Sequence, residues 1–404
     1  MDFHFDWSFL FIPVISALVG WCTNVVAVQM MFWPVRFIGL RPFLGWQGIV
    51  PANAVELARK STDIITSKLI NLPALFKDFD PKEFTEGDLA SALDDLTDRL
   101  VLETVARYAP DTWEQAPDPV KQQMKQLIRA DLDKVAVDIL GAVSDDIESI
   151  IDLENIVLSE TRQNRKIIGD VFQTAGANEF EFIRRSGAYF GFAFGMVQMA
   201  VWMSFPAWWV LPFFGFLVGY GTNFLAIKLI FEPAKPRRIG PFSVQGLFHK
   251  RQREVSQHFA SMVARDILNA DNMLTYMTTG DAGARLFSII DDHAGVMLDR
   301  YSQNPMVTAM APDLDWDKLR GELDAKLRQE VQRKPDGFLY VFASRAIDVY
   351  GELFEKMVDL DAHSFEGILR PPFHKDEWKL VLAGAALGFG AGVLQIVLLF
   401  GGHL

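Results

Sequence analysis

The sequence predicts an all-α integral membrane protein built from one unit written twice, and three observations carry that prediction. Half of the 404 residues are apolar and 33 are Phe, and these side chains concentrate in four runs: 9–33, 187–204, 207–231 and 380–400. Each run holds almost no charge and approaches the ~20 residues that a bilayer crossing requires. Two strings of residues recur at a nearly constant offset. The charged blocks between the runs show apolar residues at helical spacing.

Taken in order, residues 7–34 are expected to form the first transmembrane helix, and 35–186 an elbow followed by a helical cytoplasmic lobe. Residues 187–206 and 207–233 form the second and third transmembrane helices. A second elbow and lobe occupy 234–379, and 380–404 close the chain as a fourth helix. In the first lobe Leu89, Leu93, Leu96 and Leu100 recur at helical spacing, as do Met124, Leu127, Ile128, Leu132, Val135 and Ile139. Asp315 is the expected N-cap of a helix over 316–333. No alternating stretch is long enough to predict a sheet.

Cys22 is the only cysteine, which excludes an intramolecular disulfide and a cysteine zinc site. The N-terminus lacks the basic region of a signal peptide, and the first apolar run is too long for its core, so this span is expected to remain. Charge sets the expected orientation. Residues 51–186 carry 26 acidic and 16 basic side chains, and residues 250–378 carry 22 and 16. Together the blocks sum to −16 within a net charge of −12, which leaves +4 on the spans and elbows. Arg36, Arg41, Lys228, Lys235, Arg237 and Arg238 lie near the exits of the first and third spans. Short-range Lys/Arg bias decides topology, so both acidic blocks are expected in the cytoplasm, with both termini and the turn at Ser204–Ala207 outside. Acidic lobes are poor nucleic-acid binders, because phosphate attraction supplies most non-specific affinity.

The repeat is read from two pairs of segments. Val19 to Pro34 (VGWCTNVVAVQMMFWP) aligns with Val218 to Pro233 (VGYGTNFLAIKLIFEP) at an offset of 199. Gly187 to Gln198 (GAYFGFAFGMVQ) aligns with Gly384 to Gln395 (GAALGFGAGVLQ) at an offset of 197. Each unit contains an even number of crossings, so the two would share an orientation about a pseudo-twofold axis along the membrane normal.

The string from Gly219 to Pro233, the basic elbow through Gly246 and the closing glycine series with its Gln resemble the bacterial membrane proteins grouped as "domain of unknown function 445", the YheB/YjiN-like family. The resemblance runs through essentially the whole chain. It implies a bacterial inner-membrane protein and implies no reaction. The first half departs from the pattern: Gln29 stands where the second has Lys228, Trp33 where it has Glu232, and Ala52-Asn53 where it has Lys250-Arg251.

Polar residues inside the apolar runs are the first candidate site. Thr23, Asn24, Thr222 and Asn223 place hydroxyls and amides in hydrocarbon, where each must find a partner. They read either as interhelical staples or as a polar path or head-group site. Gln198 and Gln395 are expected at a similar depth, where they read either as completing one polar layer or as single glutamines that bond a neighbouring carbonyl. Gly187, Gly191 and Gly195, with Gly384, Gly388 and Gly392, leave one helix face without side chains and predict close helix packing. Lys228 and Glu232 are four apart on one helical face, an ion pair or a snorkelling lysine. Arg36, Arg41, Trp46, Arg237, Arg238, Lys250 and Arg251 read as an interfacial belt that contacts anionic lipid.

No catalytic constellation emerges. None of the seven histidines has a convincing ligand partner at helical spacing, and no phosphate loop or nucleophile elbow is present. The function expected from sequence is therefore a non-enzymatic scaffold or tether without cofactor, which handles anionic membrane lipid. A homo-oligomer or a protein partner would form through the lobes. The alternative is a transporter or channel using the Thr-Asn layers.

Overall fold

A computed structural model describes residues 7–40, 44–76, 80–87, 89–100, 110–115, 117–305, 315–332, 337–345, 347–371 and 377–400. Arg41 and, for its side chain, Leu100 lie outside the described residues.

The described residues are all-α apart from two short hairpins. It opens with helix α1 (Phe11–Phe32) and a hairpin of β1 (Ile38–Leu40) and β2 (Leu44–Trp46), then α2 (Ile49–Ala52) and α3 (Ala54–Ile64). The next helices used below are α4 (Ala90–Leu100), α5 (Asp118–Asp145), α6 (Lys166–Ala175) and α7 (Ala177–Ser204). Helix α8 (Val210–Phe231) precedes a second hairpin, β3 (Arg237–Ile239) with β4 (Phe242–Val244), and then α9 (Leu247–Lys250) and α10 (Gln252–Met262). The remaining helices are α11 (Gly280–Ser302), α12 (Trp316–Val331), α13 (Ala362–Leu369) and α14 (Glu377–Phe400).

Why α1 and α8 stop where they do is written in one residue each. A residue before proline is driven out of the helical region by the pyrrolidine ring, and Trp33 and Glu232 are extended, with ψ 147° and 143°. Both bonds to proline are cis. The hairpin then returns the chain so closely that the amide N–H of Gly48 donates to the Pro34 carbonyl, and that of Gly246 to the Pro233 carbonyl, each at 2.9 Å. A Cβ on Gly48 would lie 2.7 Å from the carbonyl carbon of Phe32, and one on Gly246 2.6 Å from that of Phe231. Sequence reading missed these hairpins because three-residue strands are too short to display alternation.

Two compact units result. The first comprises 1–65, 157–263 and 353–404. In it α1 packs along α7, α8 along α14, and α7 against α8. Among the described residues three helices are long and apolar enough to cross a membrane: α1, α8 and the 377–397 part of α14. The run 187–204 lies within α7, whose first turns carry Glu179, Glu181, Arg184 and Arg185. Its apolar part therefore has only 18 residues (187 to 204), ~27 Å of helix. Below the long helices α6 packs on α10, and α13 on α3. Phe32 meets Phe180 edge-on at 5.1 Å, and Phe231 stacks on Phe248 at 5.2 Å.

The second unit comprises 66–156 and 264–352, so it draws on both acidic blocks. The helical stripe of α5 continues through Leu132, Ala136, Ile139, Leu140 and Val143, all buried, whereas Leu127 is 61% exposed. Helices α4 and α11 pack against α5, and Leu89, Leu93 and Leu96 are buried. Ion pairs join the two blocks within this unit: Arg285 reaches Asp146 at 2.6 Å, and Arg99 pairs with Glu330 at 2.5 Å. Asp315 caps α12, accepting from the Lys318 amide at 3.0 Å, and α12 ends at Val331. One lobe per block was the expectation; the amphipathic α5 and α11 instead bury their apolar faces on each other.

Candidate functional site at the helix pairs and their feet

The glycine faces and the buried amides belong to the same contact. A Cβ added to Gly187 would fall on the carbonyl oxygen of Gly20, and one on Gly191 on that of Ser16. In the other pair, a Cβ on Gly388 would fall on the Gly215 carbonyl and one on Gly392 on that of Leu211. Gly195 and Gly384 are as tightly faced, by Pro13 and by the Asn223 amide. The partner glycines Gly20, Gly215 and Gly219 escaped the sequence reading, although Gly20 and Gly219 stand inside the aligned strings.

Backbones this close bring side-chain amides within reach of main-chain carbonyls. Asn24 Nδ2 donates to the Ile183 carbonyl at 2.6 Å, and Asn223 Nδ2 to that of Leu380 at 2.9 Å. Thr23 Oγ1 turns back to the Gly20 carbonyl on its own helix at 3.1 Å. Thr222 Oγ1, Asn24 Oδ1 and Asn223 Oδ1 are buried and have no hydrogen-bond partner among the described residues. Gln198 lies elsewhere. It accepts from Ser16 Oγ at 2.8 Å, and Ser16 precedes Asn24 by eight residues (24 − 16), ~12 Å along the helix. The amide layer and the glutamine are thus at different depths. Gln395 is buried, but Gly215 stands where the first pair has Ser16, and its Nε2 has no partner among the described residues.

At the feet of the long helices the basic residues divide. Arg36, Arg237, Arg238 and Lys250 are exposed. Trp46 is fixed by its indole N–H, which donates to the Met30 carbonyl at 3.3 Å. Arg251 is turned inward: it lies 3.2 Å from Glu179, whose side chain is 1% exposed, and Nε donates to Glu254 at 2.9 Å. Burial raises the Glu179 carboxyl above its ordinary value despite Arg251, while the hydrogen bond from Arg251 lowers Glu254.

A chain of charges occupies the foot of α8. Lys228 Nζ stands 3.8 Å from Glu232, and Arg370 Nη2 stands 3.8 Å from the same carboxylate. Arg370 also pairs with Glu366 and lies over the Phe231 ring, 5.6 Å from its centre. His249 completes it: its side chain is 2% exposed and Nε2 lies 3.7 Å from Glu366 Oε2. Neither ring nitrogen makes a hydrogen bond among the described residues. Burial lowers its pKa, with Glu366 opposing. Sequence reading did not connect His249 with Glu366 and Arg370, which lie more than a hundred residues away. No group of three or more His, Cys, Asp or Glu able to hold a metal occurs among the described residues.

Comparison with known proteins is sparse. No family model matches the chain, and no solved structure matches it. The chain is 34% identical over 73 residues to a UPF0754 membrane protein of Microcystis aeruginosa, covering 18% of each chain. It is 29% identical over 147 residues to a UPF0754 membrane protein of Bacillus cereus, covering 35% of this chain and 36% of the relative. A UPF0754 membrane protein of Shouchella clausii is 28% identical over 134 residues, 32% of this chain and 31% of the relative. The matched segments thus span about a third or less of these relatives. The chain is similar over these segments to bacterial membrane proteins whose family is uncharacterised.

Proposed function

We propose that the protein is a non-enzymatic scaffold or tether of the bacterial inner membrane that handles anionic lipid. The observation that carries this reading is the use made of the intramembrane amides. Asn24 and Asn223 each donate to a backbone carbonyl of the neighbouring helix, which fits staples better than a transport path. The reading includes α7 as a fourth span, because Tyr189, Phe192, Met196 and Val197 are exposed apolar residues along it and such a belt suits lipid. It also includes a tandem duplication with a pseudo-twofold axis along the membrane normal, supported by the paired geometry at Asn24 and Asn223. Membership of the "domain of unknown function 445" family belongs to the same proposal. The +4 on spans and elbows supports acidic blocks in the cytoplasm and termini outside. The acidic unit is the surface for a protein partner or a second copy.

The second reading, a transporter or channel, is favoured by the unpartnered oxygens Asn24 Oδ1, Asn223 Oδ1 and Thr222 Oγ1. The Asn24→Leu/Asn223→Leu double variant separates the two, since removing donor and acceptor together leaves little unsatisfied. The scaffold reading expects it to complement a chromosomal deletion fully. A double variant that accumulates and melts like the wild type yet fails to complement would overturn it.

A further inference from the structure

The foot of α1 holds a cavity of about 230 Å³ where the foot of α8 holds charges. Its walls include Val25, Gln29 and Trp33 at the end of α1, Gln173 of α6, and Phe180 and Arg184 of α7. At the offsets of 199 and 197, Gln29 corresponds to Lys228, Trp33 to Glu232, and Gln173 to Arg370. At the second foot the guanidinium of Arg370 is answered from within the chain by Glu232 and Glu366. At the first foot no acidic side chain among the described residues lines the cavity. Glu181 stands 3.4 Å from Arg184 but also serves Arg185 at 2.7 Å, so the three groups leave one positive charge.

We propose that this cavity binds the phosphate of an anionic phospholipid, whose negative charge answers the positive charge that Arg184, Arg185 and Glu181 leave over. This deepens the lipid-handling reading above and rests on α1 being membrane-embedded. Arg184 meets the phosphate with a charge-assisted hydrogen bond, and the Gln29 and Gln173 amides donate to its remaining oxygens. Trp33, 52% exposed, takes the interfacial position that amphipathic indoles favour. The volume suits a phosphate with its glycerol, below the usual range for a whole ligand, so the acyl chains stay outside along the apolar face of α1, beginning at Val25.

The test is calorimetric titration of the full chain in dodecyl maltoside with dihexanoylphosphatidylglycerol, dihexanoylphosphatidylcholine and inorganic phosphate. Saturable binding of the phosphatidylglycerol is expected, at least about tenfold tighter than either other probe. Arg184→Gln should weaken it at least about tenfold. Gln173→Glu should do the same by bringing an internal carboxylate to Arg184, and it decides the matter if Arg184→Gln does not accumulate. Arg165→Gln, which is exposed and lines no part of the cavity, should change affinity less than about twofold. Unchanged binding in Gln173→Glu, or equal weakening in Arg165→Gln, would overturn the site. Inorganic phosphate binding as tightly as the lipid would overturn the lipid assignment. None of these readouts depends on Asn24 or Asn223, so failure here leaves the complementation test of the scaffold reading untouched, and the reverse.

Discussion

Gly20 and Gly187 meet main chain to main chain, so that a Cβ on either residue would fall on the carbonyl oxygen of the other. Gly215 and Gly388 do the same in the second helix pair. Close backbone contact of this kind is what holds helices together in a bilayer, where lipid supplies no hydrophobic force between them.

Gly191→Leu and Gly388→Leu should each destabilise the protein by ~1–3 kcal/mol or more, read as a lower thermal midpoint in detergent, because backbone and not a pliable side chain blocks the new group. Gly390→Ala is the control. Nothing lies within 4 Å of a Cβ there, so it should be neutral or add up to ~1 kcal/mol through helix propensity. Wild-type melting in both Leu variants would show that these faces are not the packing faces.

His249 makes stability depend on pH in one direction. Burial holds its folded-state pKa below the ordinary 6.5, against the pull of Glu366, so the folded protein binds fewer protons than the unfolded chain. Its contribution is complete above about pH 6.5 and is lost as pH falls through the lowered folded value. His249→Phe should therefore melt with a shallower decline from pH 7 to pH 5 than the wild type. Parallel pH profiles would remove His249 as the cause.

Asp291 acts with the opposite sign. Burial, a shared hydrogen bond and the charge of Asp324 push it up to about 6, although Arg328 lies 2.7 Å away. The folded state then binds the extra proton, so its stabilising contribution is present below about pH 3.8 and is lost as pH rises through about 6. Asp291→Asn imitates the protonated form. It should match the wild type near pH 4 and melt higher at pH 7, and the same midpoint at both pH values would refute the assignment.

Topology can be read by labelling. After exposed Cys22 is replaced by Ser, a cysteine at Ala207 should react with an impermeant maleimide on intact cells, and one at Gln122 should not. Labelling of Gln122 alone would reverse the proposed orientation.

What was legible in the sequence follows from short-range physics. Runs without charge predicted long apolar helices, and three of them meet length and composition as helices in the structure. A proline after Trp33 and another after Glu232 marked the ends of α1 and α8, because a residue before proline is excluded from the helical region. Leu89, Leu93 and Leu96 predicted a buried face from spacing alone.

Tertiary structure alone decided which groups meet. The Asn24 amide could have faced an amide, a lipid or a carbonyl, and only the glycine-to-glycine approach of α1 and α7 put the Ile183 carbonyl within 2.6 Å. Gln198 could be assigned a depth only once α7 had been set beside Ser16. His249 sits in a basic string, yet Glu366 and Arg370, distant in sequence, set its buried ring beside a partly exposed charge network. Sequence patterns report what each side chain must avoid, chiefly water or hydrocarbon. Partners come from backbone separations of a few ångströms between distant segments, and those exist only once the helices have packed.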